Sequence, residues 1–99
     1  MSSSNIQSVQ VTGTAQAVNG RSRLAGVYFV STATAATLTF KTGGSGGTAN
    51  FTITSPAAAG AFDFLIPDMG IMFADGIHVT FSGAGVTSVT LLFEGGAAA

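Results

Sequence analysis

The segment Thr37-Leu38-Thr39-Phe40-Lys41 and its echo Asn50-Phe51-Thr52-Ile53-Thr54 alternate apolar and polar residues strictly, on either side of a glycine-rich run at 42–49. Successive side chains of a strand point to opposite faces, so period 2 specifies a strand with one face on a core and the other outward. The outward positions carry threonine and serine in place of charge. The pattern returns in Ile77, Val79 and Phe81 against His78, Thr80 and Ser82, and again in Val89, Leu91 and Phe93. No window sustains apolar residues at i, i+3, i+4 and i+7, and β-branched residues and glycines are dense, so no helix is expected.

Turn chemistry divides the chain into about eight strands. The first spans residues 6–18, with Val9 and Val11 on one face and a possible bulge at Gly13. Asn19-Gly20 is the strongest short hairpin signal, because both residues tolerate the positive φ of a type I′ turn. The second strand, 21–31, is expected to be central and covered on both sides near Val27-Tyr28-Phe29-Val30, with Leu24, Tyr28 and Val30 sharing one face and Arg23, Val27 and Phe29 the other. Strands at 36–42 and 49–55 flank the glycine loop, and Pro56 ends the latter. Further strands follow at 61–66, with Phe62, Phe64 and Ile66 on one face, at 71–73, at 77–82 and around 89–93. They are separated by Pro67-Asp68-Met69-Gly70, Asp75-Gly76 and Gly83-Ala84-Gly85. The expected fold is an all-β, antiparallel β-sandwich of jelly-roll or Greek-key type, with a small β-barrel as the alternative. Its 99 residues make one domain, with tails at 1–5 and 95–99.

A folded monomer of this mass exposes on the order of 5,000 Å². Three Lys and Arg and four Asp and Glu must serve all of it, which is sparse for a freely soluble monomer. With 46% hydrophobic residues and a mean hydropathy of +0.54, part of the outer surface is expected to be covered by something else. Arg21, Arg23 and Lys41 are the cations, too few for the basic patch that nucleic acid requires. Cysteine is absent, which removes disulfides and thiolate-bound metal. No run approaches the ~20 apolar residues of a membrane-spanning helix, and residues 1–5 lack the features of a signal peptide, so synthesis in a cytoplasm is expected.

Candidate chemistry is thin. His78 is the sole histidine, and its place on the polar side of a strand beside Thr80 and Ser82 suits an exposed or hydrogen-bonded residue better than a catalytic base. No Gly-x-Ser-x-Gly elbow accompanies it. Asp63, Asp68 and Asp75 are spaced too widely for a calcium loop, and Asp68 and Asp75 suit turns. The loop Gly43-Gly44-Ser45-Gly46-Gly47 lacks the lysine of a P-loop and precedes a strand, so it reads as a flexible hairpin tip available for contact. Asn50-Phe51-Thr52 matches a glycosylation acceptor by accident of a strand start. Arg21 and Arg23 can pair with acids of a neighbour, and Ile71, Met72 and Phe73, apolar without alternation, are expected buried or at an interface. No enzyme activity, cofactor, metal or small-molecule substrate is expected.

The runs 19–30 (NGRSRLAGVYFV), 38–47 (LTFKTGGSGG) and 66–73 (IPDMGIMF) together resemble small virion proteins of tailed bacteriophages. The resemblance implies a structural component of the virion, a capsid decoration or cement protein first and a neck or tail component second. It implies the major capsid protein as partner and a location on the particle. Sparse charge adds self-association, as a homotrimer or similar cyclic oligomer. A carbohydrate-binding module is the rival reading, with Tyr28 as its candidate platform.

Overall fold

The computed structural model describes residues 6–55, 58–66, 70–83 and 85–99. Ten strands form two antiparallel sheets: β1 (Gln7–Val11), β2 (Ala15–Asn19), β3 (Ser22–Ser31), β4 (Thr37–Thr42), β5 (Thr48–Thr54), β6 (Gly60–Leu65), β7 (Ile71–Phe73), β8 (Ile77–Ser82), β9 (Val86–Glu94) and β10 (Ala97–Ala98). The first sheet runs β1-β9-β3-β6, with β7 also on β3, and the second runs β10-β2-β8-β4-β5. Strands β6 and β7 lie end to end along β3, facing Gly26–Ser31 and Ser22–Leu24. The Ile66 N–H donates to the Ala25 carbonyl at the break between them (2.8 Å).

Counting β6 and β7 as one strand and setting β10 aside, the ladders nest around the β4–β5 hairpin: β3 with β6 and β7, then β2 with β8, then β1 with β9. This is the order of a jelly roll. The two sheets do not join into a closed barrel, so the barrel alternative is set aside.

The core lies between the sheets. Leu24, Val27, Phe73, Val89, Leu91 and Phe93 enter it from the first sheet, and Val18, Leu38, Phe40, Ile77 and Val79 from the second, all at 0–1% exposure. Alternation in β4, β8 and β9 delivers these residues as the sequence predicts. Ser55 clamps one end: its hydroxyl accepts the Ala36 N–H (2.9 Å), and its own N–H donates to the Ala36 carbonyl (2.8 Å).

Five expectations are corrected. The single strand at 6–18 is two strands in different sheets, because residues 12–14 bend the chain around the edge of the sandwich. Asn19-Gly20 does turn, with Gly20 at φ 86°, but it carries the chain from one sheet to the other and closes no hairpin. In β3 a register shift between Leu24 and Gly26 reverses the alternation, so Leu24 shares the buried face with Val27 and Phe29. Tyr28, expected to be covered, stands 44% exposed on the opposite face. The supposed tail at 95–99 includes β10, where Ala97 and Ala98 pair with Asn19 and Val18. The turn residues 67–69 and the tail 1–5 fall outside the described residues.

Phe73, expected either buried or at an interface, is wholly buried. Phe73→Ala should therefore lower unfolding free energy by about 3–5 kcal/mol through the cavity it leaves. Chemical denaturation checks this, and a near-neutral result would return Phe73 to the surface.

Candidate functional site

The glycine loop between β4 and β5 is built, not slack. Gly43 and Gly44 have φ of 91° and 86°, and the Gly47 N–H donates to the Gly44 carbonyl (3.0 Å). Lys41 bends back so that its Nζ donates to the Ser45 carbonyl (3.0 Å). The base of the loop is tied to the β7–β8 turn, where the Gly43 N–H donates to the Asp75 carbonyl (3.1 Å) and the Asp75 N–H donates to Thr42 Oγ1 (2.8 Å). A Cβ on Gly47 would fall 1.8 Å from the Thr42 carbonyl oxygen, whereas one on Gly46 would meet nothing within 4 Å. The flexible tip of the sequence reading is thus corrected to a pinned turn in which Gly43, Ser45 and Gly46 are exposed.

The other expected contact residues separate. Arg21 is exposed at the β2–β3 turn, while Arg23 is half-buried on β3 and sits in register between Met72 of β7 and Glu94 of β9. Ile71 is half-buried and packs on the core, and Met72 is half-buried in the outward row with Arg23. No single surface gathers the loop, the arginines and β7.

The structure draws attention instead to the two outer sheet faces. On the second sheet, registered rows place Ser82, Thr37 and Thr54 side by side, and Thr80, Thr39 and Thr52 beside them. On the first sheet the outward rows are Ser8–Leu92–Gly26–Leu65, Gln10–Thr90–Tyr28–Asp63 and Ser88–Val30–Ala61, with Glu94–Arg23–Met72 beyond them. Leu65 is 76% exposed. Its signal was present in the sequence: in Ala61-Phe62-Asp63-Phe64-Leu65 it is apolar at the outward parity.

Groups able to do chemistry stay apart. Among the described residues no three His, Cys, Asp or Glu side chains come together as a metal site would need. His78 is buried at 7% exposure, between Gln16 of β2 and Lys41 of β4 in register, with Nδ1 3.4 Å from Thr80 Oγ1. Burial, and secondarily the Lys41 charge, hold its pKa below 6.5. The Asn50 side chain donates to the Met72 carbonyl (3.1 Å) and so links β5 to β7 across the sandwich. An open cleft of about 450 Å³ at the β1–β2 corner is lined by residues 9–16 and Ala99, with no ionisable side chain in its walls.

Two outcomes follow. Gly47→Ala should cost about 1–3 kcal/mol of stability because the backbone must move, and Gly46→Ala should stay within about 0.5 kcal/mol; equal losses in thermal or denaturant melts would contradict the pinned turn. His78 binds a proton less readily folded than unfolded, so its contribution is complete above the unfolded value of 6.5 and is lost as pH falls from there through the lower folded value. A stability–pH profile should drop in that acid window, and His78→Gln should flatten it.

No family model and no curated protein matches the chain. Its fold resembles a solved structure from work on Bacillus endospore appendages, described as a novel family of disulfide-linked pili, with a TM-score of 0.51, 17% identity, and coverage of 94% of this chain and 93% of that one. A structure of PirA aligns at a TM-score of 0.45 and 14% identity over 95% and 97% of the two chains, too distant in shape to carry an argument. At such identity the first likeness establishes the fold alone. The fold is met in an endospore appendage and in no virion protein among these comparisons, so the expected capsid decoration role, the neck or tail alternative, the virion location and the major capsid protein as partner are set aside.

Proposed function

We propose that this chain is a non-enzymatic structural subunit that associates with copies of itself into a pilus-like polymer. The observation that carries the reading is the character of the outer sheet faces: three Lys and Arg and four Asp and Glu share 5042 Å² of surface, and the outward rows are mostly threonine or apolar. Strand β5 is the edge strand of the second sheet and carries no charged residue, so no charge guards that edge. The appendage structure that shares the fold comes from disulfide-linked pili, and this supports a self-assembling reading. Cysteine is absent here, so the contacts rest on apolar burial and hydrogen bonds. A homotrimer or another closed ring is the alternative geometry of the same association.

Sedimentation velocity over a dilution series, paired with electron microscopy, tests this. Species should grow with concentration and be indifferent to reductant, with open fibres giving a ladder of sizes and a ring one discrete mass. A strict monomer at every soluble concentration would overturn the proposal.

A further inference from the structure

We infer that the outer face of the first sheet is an interface between two copies of this chain, related by a two-fold axis and centred on Tyr28. The inference rests on the self-association reading and says where association happens; the pair is then the unit that other contacts extend.

Two observations place it on this face. Val27-Tyr28-Phe29-Val30 is an unbroken apolar run, the signature of a strand covered on both sides, yet among the described residues only one side is covered. Val27 and Phe29 are buried at 1% and 4%, while Tyr28 on the reverse side is 44% exposed. The second observation is what surrounds Tyr28: Thr90 and Asp63 flank it in its own row, and the rows on either side bring Val30 on its own strand, Ala61 and the 76% exposed Leu65 on β6, and Leu92 on β9. The threonine face of the second sheet is a poorer candidate for a dry contact, because each hydroxyl buried without a partner costs about 1–3 kcal/mol.

Charge and area fix the occupant. The face carries Arg23, Glu94 and Asp63, with Arg23 and Glu94 confined to the terminal row and Asp63 on the β6 edge. A two-fold axis running across the strands, between the Gly26 and Tyr28 rows, sets each Tyr28 over the Leu92–Gly26–Leu65 row of the second copy. It brings Arg23 against Val30, Glu94 against Ser88 and Asp63, at the β6 edge, against Leu65, so no like charges meet. An axis along the strands would instead set Arg23 on Arg23. Gly26, with no side chain between Leu65 and Leu92, leaves the centre of that row low where the aromatic ring must fit. The slab measures 41 × 34 × 21 Å, and its broad face has room for the ~800 Å² per partner of a specific interface.

The protein carries its own probe. Tyr28 is the single tyrosine and there is no tryptophan, so tyrosine emission reports this position alone. Along a dilution series followed in parallel by sedimentation, acrylamide quenching of that emission should fall several-fold as association proceeds. Leu65→Asp, at a position the fold leaves exposed, should keep the wild-type melting curve and weaken association at least roughly tenfold. Association that leaves Tyr28 as quenchable as in the monomer, or that Leu65→Asp does not weaken, overturns the interface while the self-assembling reading stands. Wild-type protein that never associates removes both.

Discussion

The register of the β4–β5 hairpin governs the rest of this fold. Leu38 faces Ile53 and Phe40 faces Phe51, whose rings meet at 5.8 Å, while Thr37 and Thr39 face Thr54 and Thr52. Side chains alternate with period 2, so a slip of one residue would turn the phenylalanines outward and the threonines into the core. The error would spread, because the other edge of β4 carries β8 through Leu38–Phe81 and Phe40–Val79, and β8 in turn carries β2. The glycine loop is what prevents the slip. Its positive-φ residues, the close approach of Gly47 to Thr42 and the ties to Asp75 admit one way of closing the turn.

Nesting has a kinetic consequence. The β4–β5 ladder closes a short loop, whereas each ladder outside it joins segments further apart, ending with Gln7 opposite Phe93. Loop-closure entropy grows with separation and non-local pairings slow folding, so the hairpin is the natural first structure and the β1–β9 ladder the natural last. The sheet-crossing turns depend on both sheets being present. The Thr32 N–H, for instance, finds its partner in the Gly85 carbonyl (2.8 Å), far along the chain.

What could be read from the sequence follows from which forces are local. Alternation exposed β4, β5, β8 and β9 and the inward set Leu38, Phe40, Val89, Leu91 and Phe93, because parity is written in neighbouring residues. Sheet membership is not: Asn19-Gly20 looks the same whether it closes a hairpin or passes between layers. The bulge that reverses parity in β3 was hidden for a related reason, since Ala25-Gly26 acquires its extra residue only against Phe93 and Leu92 of β9. Of the residues nominated for contact, Phe73 went to the core because β7 is too short to be anything but an extension of β6 along β3. Leu65 and Tyr28 were missed as a pair because residues so far apart in the chain become neighbours only through the β3–β6 register.

The exposure of Tyr28 and the sparse charge are two expressions of one constraint. A 9.8 kDa slab of two sheets has a single interior layer, and every strand contributes only alternate residues to it. A sequence with 46% hydrophobic residues therefore has more apolar side chains than one interior layer can take, and part of the surplus falls on outward positions of the first sheet, Tyr28 of β3 and Leu65 of β6. Charge on that face is confined to Arg23 and Glu94 in the terminal row and Asp63 on the β6 edge. Burial of the face by a second copy stabilises the folded chain by mass action, since only the folded state presents the rows intact. Without cysteine to lock such a contact, its strength is set by how well Tyr28, Leu65 and Leu92 are excluded from water, and the association remains reversible and dependent on concentration.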